Sequence, residues 1–205
     1  MSRNRSVTAA RPLVGVLALQ GDFEAHSRVL ARVGADVREV RTALDLEGLH
    51  GLVIPGGEST SMTIGIARER LAEPLRERVA AGLPVLGSCA GLIMLDREHL
   101  AVMDILAERN AFGRQLRSFE ADVELHGLPG GALRALFIRA PWIAEHGPGV
   151  EILATVGDPP RAVAAREDAL LAVAFHTGLA HDDRVHELFL ERVREFARGV
   201  LARAR

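Results

Sequence analysis

A chain of 205 residues with 48% hydrophobic content is the size of one globular domain and has ample material for a single buried core. Its formal net charge of −2, from 25 basic and 27 acidic residues, gives no electrostatic footprint for nucleic acid or an anionic membrane, and no apolar run approaches a membrane span or a secretory leader. The single cysteine, Cys89, excludes an internal disulfide and is a buried small hydrophobe, a bystander or a nucleophile. The expectation is a cytoplasmic protein with a disordered tail over residues 1–11 and one domain over 12–205.

The apolar run Leu13-Val14-Gly15-Val16-Leu17-Ala18-Leu19, closed by Gln20-Gly21, predicts a strand buried on both faces of a parallel sheet. Phe23, His26, Val29, Leu30 and Val33 then recur at helical spacing, with Asp22 as N-cap and Gly34 as the stop. Val37 and Val40 mark a short second strand, and Gly51-Leu52-Val53-Ile54 runs as a third into the breaker Pro55-Gly56-Gly57. Two helical stretches, over 62–70 and 73–81, precede a fourth buried strand over 83–87. In the second half, residues 121–125 and parts of 150–155 and 162–166 alternate polar and apolar, as one-sided antiparallel strands do. Residues 170–175 form a further apolar strand, and 184–203 an amphipathic helix with Val185, Leu188, Phe189, Val193 and Phe196 inward. The pattern predicts an α/β fold: one domain built around a mixed, mainly parallel central sheet.

Ligands of open α/β sheets settle beyond the carboxyl ends of the strands, so residues just after the apolar runs are the candidates for chemistry. Gly87-Ser88-Cys89-Ala90-Gly91 joins the fourth strand to a helical run, Leu92-Ile93-Met94-Leu95. It is a G-x-nucleophile-x-G elbow with cysteine in the serine position, and a helix N-terminus there lowers a thiol pKa. The bland reading is a tightly packed Gly/Ala turn around a buried cysteine. Pro55-Gly56-Gly57-Glu58-Ser59-Thr60 offers backbone N–H groups for an oxyanion hole, or is an ordinary loop with a helix cap. His176, after the strand that ends at Phe175, would project from the same sheet edge as Cys89 and pair with it as base and acid. An isolated strand-end histidine is more often structural, and the chain has eight histidines, so this assignment leans on the other two sites.

At these places the sequence resembles the class I, triad-type glutamine amidotransferases and, within them, the family of glutaminase subunits of pyridoxal 5′-phosphate synthase. The runs that carry the resemblance are Gly15 to Gly21, Ile54 to Thr60, Ser88 to Leu92, Glu108-Arg109-Asn110-Ala111-Phe112-Gly113-Arg114-Gln115, Ser118 to Asp122 and Phe137-Ile138-Arg139-Ala140-Pro141. The elbow is shared across the superfamily, whereas the Glu108 and Phe137 runs are distinctive of the one family. The resemblance implies a flavodoxin-like, three-layer sandwich with Cys89 as nucleophile and His176 as base. It further implies that Gly57, Glu58, Ser59, Arg109, Ile138 and Arg139 contact L-glutamine, and that backbone N–H groups of Gly57 and Ala90 form the oxyanion hole. It implies no metal and no cofactor. The implied partner is a (β/α)₈-barrel synthase subunit that receives the ammonia; nucleic acid and membrane are not expected partners. The residue types suit these roles, since a guanidinium such as Arg109 pairs with an α-carboxylate and a carboxylate such as Glu58 with an α-ammonium.

Two departures accompany the resemblance. Relatives follow the histidine with Pro-Glu, whose glutamate orients the imidazole; this chain reads Phe175-His176-Thr177-Gly178-Leu179. Asp182 and Asp183, in the loop that follows, are the nearest replacement carboxylates in sequence. The interval from Leu95 to Glu108 is also short, beside the elbow helix. Gly178 therefore leaves two expectations open: an active glutaminase, or a non-catalytic subunit that binds the synthase without turning glutamine over.

Overall fold

A computed structural model describes residues 11–109, 118–179 and 182–203. The expected tail over 1–11 lies outside these except for Arg11, whose guanidinium donates to the carbonyls of Ala31 and Ala35. Residues 110–115 of the distinctive Glu108 run also lie outside them.

The first half winds as its periodicity predicts. Strand β1 (Leu13–Leu17) leads into helix α1 (Phe23–Arg32), then β2 (Asp36–Val40) and β3 (Gly51–Ile54). Helices α2 (Ser59–Arg68) and α3 (Ala72–Ala80) follow, then β4 (Val85–Ser88) and the short α4 (Ala90–Leu95). The β1, β3 and β4 strands are almost wholly buried, as continuous apolar runs between two helical layers must be. The second half supplies β5 (Ile105–Glu108), β6 (Ser118–Val123), β7 (Leu133–Ile138), β8 (Trp142–His146), β9 (Glu151–Val156), β10 (Arg161–Glu167), β11 (Leu170–Val173) and the closing helix α5 (Arg184–Arg203). Strands β5, β7 and β8 were not expected from the sequence.

The main sheet runs β2-β1-β3-β4-β11-β10-β8-β5, with β9 also paired to β10. From β2 to β11 neighbours are parallel, and beyond β11 they are antiparallel. The order reverses between β1 and β3, which is where such sheets open a crevice for ligands. Gly51 of β3 is packed under Val193 and Phe189 of α5, whereas Gly91 of α4 lies against Ile54, so helices cover both faces and the sandwich has three layers. On the α5 side, α1 joins it through a buried contact between His26 and His186. Of the α5 residues expected inward, Val185, Phe189 and Val193 are fully buried, and Leu188 and Phe196 pack partly against the core. The hairpin β6-β7 forms a separate two-stranded sheet.

The short link from α4 to β5 closes around Asp96, which is 1% exposed. Its carboxylate accepts the N–H groups of Glu98 and His99, bonds the His99 ring at 2.7 Å and accepts Ala107 N–H at 3.3 Å. A few residues with one buried acceptor thus deliver the chain to β5 and, just beyond it, to Arg109.

Candidate active site

Four loops meet at the carboxyl edge of the parallel strands: those after β1, β3, β4 and β11. Cys89 sits between β4 and α4 at φ 52°, ψ −106°, a left-handed backbone for a non-glycine residue. Such strain costs on the order of 1–3 kcal/mol and persists only when its surroundings fix it. Here Cys89 N–H donates to Val173 at 2.8 Å, and the buried Ser88 hydroxyl donates to the Phe175 carbonyl at 2.9 Å. The flanking glycines are required by contact: a Cβ on Gly87 would lie 2.6 Å from the Gly91 carbonyl oxygen, and one on Gly91 would overlap the Ile54 carbonyl. Cys89 is 5% exposed but lines an open cleft, which distinguishes it from a cysteine sealed in the core.

His176 follows β11 and lines the same cleft. Its N–H donates to Leu136 of β7 at 2.9 Å, and its ring packs on Gly56, where a Cβ would approach within 2.6 Å. Through Nδ1 the imidazole hydrogen-bonds the Asp22 carboxylate at 3.0 Å, and Cys89 lines the same cleft beside it. Burial disfavours a charged ring, but the bond to Asp22 and the attraction of Asp22 and Cys89 outweigh it and push the His176 pKa up to about 10. For Asp22 burial again opposes charge. Its bond to His176 and the nearby His26 and His176 rings still leave the carboxyl below its ordinary pKa.

Asp22 is the residue at the site that the sequence does not point to. It occupies the N-cap position of α1 as expected, yet its side chain makes no cap hydrogen bond and turns to His176 instead. The two acids considered from the sequence are committed elsewhere: Asp182 to Arg184 at 2.6 Å, and Asp183 to Arg32 at 2.5 Å. Gln20 was also passed over. Its side-chain oxygen accepts Glu58 N–H at 3.0 Å, fixing the Gly-Gly turn against the β1 loop, and Gly57 at φ 149° leaves no room beside the Gln20 amide for a Cβ.

The cleft, of about 190 Å³, is lined by all the site residues named from the sequence: Gly57, Glu58, Ser59, Cys89, Ala90, Arg109, Ile138, Arg139 and His176. Its size lies below the roughly 300–1,000 Å³ of drug-sized pockets and suits a small metabolite. Ala90 is the first residue of α4, so its N–H is one of the helix donors without an intrahelical partner. Glu58 caps α2 through Ser61 N–H, a bond that holds its carboxyl below the usual range. It also meets Arg109 at 3.3 Å, so the expected ligand pair bond each other at the rim. The Ile138 carbonyl lies 3.9 Å from Cys89 Sγ, and Arg139 adopts a left-handed φ of 45° beside it. Among the described residues no group of three His, Cys, Asp or Glu side chains could hold a metal ion.

A strained cysteine elbow, a histidine on the next strand and a Gly-Gly turn on one sheet edge define the cysteine-nucleophile class of doubly wound α/β enzymes. The chain belongs to the SNO glutamine amidotransferase family, which matches residues 16–195. It is 51% identical over 205 residues to a protein of Acidothermus cellulolyticus named pyridoxal 5′-phosphate synthase subunit PdxT, covering 94% of this chain and 99% of that one. A protein of the same name from Parafrankia sp. is 50% identical, with 89% and 94% covered. Among solved structures, one described as a glutamine amidotransferase is 44% identical with a TM-score of 0.81, covering 88% of this chain and 98% of that one. PurLQS from Thermotoga maritima shares the fold at 14% identity, with a TM-score of 0.69 and 89% and 99% covered.

Proposed function

We propose that this chain is the glutaminase subunit of a pyridoxal 5′-phosphate synthase, releasing ammonia from L-glutamine for a partner synthase subunit. The observation that carries this is Cys89 and the Asp22-bound His176 lining one cleft rimmed by Arg109 and Glu58. The relatives' shared name supplies the synthase. Cys89 attacks the side-chain carboxamide carbon as the thiolate, its proton held on His176, and the negative charge that develops on oxygen meets the N–H groups of Gly57 and Ala90. His176, protonated at neutral pH, gives its proton to the departing nitrogen, so ammonia leaves and a thioester remains. Neutral His176 then takes a proton from water, which attacks the thioester and frees glutamate and the thiol.

Arg109 holds the α-carboxylate of glutamine and Glu58 its α-ammonium, exchanging their mutual ion pair for one with each end of the substrate. Ser59, Ile138 and Arg139 complete the walls. The partner is a (β/α)₈ barrel that builds pyridoxal 5′-phosphate from a pentose phosphate and a triose phosphate, and docking to it switches the glutaminase on. The protein works in the cytoplasm, where thiols stay reduced. The assay is glutamate release by the chain mixed with its synthase subunit. Cys89→Ala is expected to lose at least about 10³-fold in kcat. A Cys89→Ala protein as fast as wild type sinks the proposal.

A further inference from the structure

We infer that Asp22 is the positioning residue for His176, standing where the sequence lacks a carboxylate after the histidine. The inference rests on the glutaminase reading of the cleft and deepens it. A catalytic imidazole needs a third group that fixes its tautomer and its angle. Asp22 Oδ2 meets His176 Nδ1 at 3.0 Å, which places the proton on Nδ1 and leaves Nε2 for the cysteine side.

The loop that carries Asp22 is held as tightly as the carboxylate. Asp22 N–H donates to the Gly56 carbonyl at 3.2 Å, and Gly21 lies so close to that carbonyl that no Cβ fits. The same Gly56 forms the floor under the His176 ring. Backbone, carboxylate and imidazole are therefore one assembly, joining the loops after β1, β3 and β11.

The charges around it favour the same pairing. The titratable groups that act on His176 are Asp22, Cys89 and, from α1, His26, whose Nε2 is also 3.8 Å from Asp22 Oδ1. His26 is fully buried and shares its other nitrogen with His186 at 2.9 Å, an arrangement that requires at least one of those rings to be neutral. Burial holds the His26 pKa down to about 4, so at neutral pH the one cationic partner among these rings is His176. Position 178, where relatives carry glutamate, has little room: a Cβ there would lie 3.2 Å from the His26 N and Cδ2 atoms and 3.3 Å from Ala25 Cβ. Helix α1 fills that side of the imidazole and brings its own acid.

The test measures glutamate release by the assembled complex from about pH 6 to about pH 10, together with Cys89 alkylation by iodoacetamide. Asp22→Asn is expected to lower kcat about 100-fold or more while the KM for glutamine stays within about twofold. Without the carboxylate the imidazolium is less stable, so the alkaline limb of kcat/KM moves down by about one pH unit and alkylation of Cys89 near neutral pH slows. Asp22→Ser, which retains an N-cap side chain, should behave alike and guards against a folding defect. Asp182→Asn and Asp183→Asn should stay within about threefold of wild type. Wild-type rates in both Asp22 variants overturn the assignment, as does a slow enzyme whose alkaline limb has not moved. A drop and limb shift in an Asp182 or Asp183 variant does the same. Cys89→Ala run in parallel separates the two ideas: if it is inactive while Asp22→Asn matches wild type, only the role of Asp22 fails.

Discussion

Gly56 presses its α-carbon against the face of His176, where an added methyl would sit 2.6 Å from Cε1 and 2.8 Å from Nδ1. Gly56→Ala must therefore push the ring off Asp22 or off Cys89. A displacement near 1 Å in a catalytic group costs on the order of 100-fold, so a loss of that size in kcat is expected. Retention of full activity in steady-state assays contradicts the described packing. At this scale much of the site was legible. Cys89, His176 and the Gly-Gly turn each stand directly after an apolar strand, and the family motifs supplied Arg109, Ile138 and Arg139. Asp22 stands in an equally telling place, after β1. Its sequence signal is that of a helix cap, since aspartate is common there, and no local signal reveals that its partner lies 154 residues away. Gly178 suggested a non-catalytic chain for the same reason: the sequence shows an acid lost at one position and not the acid that faces the ring from another helix.

Among the elements, the β6-β7 hairpin lies apart from the main sheet and forms one wall of the cleft. It is anchored by Phe137, which is fully buried, stacked on Phe119 at 4.6 Å and edge-on to Phe175 at 5.6 Å. The next two residues are Ile138 and Arg139, and the β7 backbone accepts the His176 N–H. Phe137→Ala is expected to destabilise the protein by about 3–5 kcal/mol through the cavity it leaves. It should also raise the KM for glutamine more than it lowers kcat, since the wall moves while the Cys89–His176 pair stays on the main sheet. Urea denaturation and steady-state kinetics check the two parts, and an unchanged KM counts against the hairpin as a substrate wall. The strand itself escaped the sequence reading because the apolar end Leu136-Phe137-Ile138 conceals an alternation in which only every second residue is fully buried. Strands β5 and β8 are short, and their pairing partners lie far along the chain.

For the molecule as a whole, stability toward acid follows from the two helices on one face of the sheet. His26 of α1 and His186 of α5 are both fully buried, and burial lowers their pKa values to about 4 and about 3. Below about pH 6.5 the unfolded chain binds protons that the folded protein refuses, so stability falls as the pH drops toward those values. The slope is about 1.4 kcal/mol per pH unit for each histidine. His176 has the opposite sign: the stability from its raised pKa is complete below about 6.5 and is lost as the pH climbs through about 10. Urea midpoints should therefore fall from pH 7 to about pH 5 and fall again toward about pH 10. A flat profile on the acid side shows that the buried pair takes up protons in the native state.

The order of strands and helices in the first half, the doubly wound class and the candidate nucleophile and base were legible in local chemistry: apolar runs of strand length, helical spacing, and small residues around one cysteine. Those signals lie within a few residues of one another, so the chain alone carries them. Which carboxylate meets the imidazole, which arginine meets Glu58, and how a detached hairpin forms a wall depended on contacts between segments far apart in sequence. Their partners are set by sheet order and helix packing, and only the folded chain brings them within hydrogen-bonding distance.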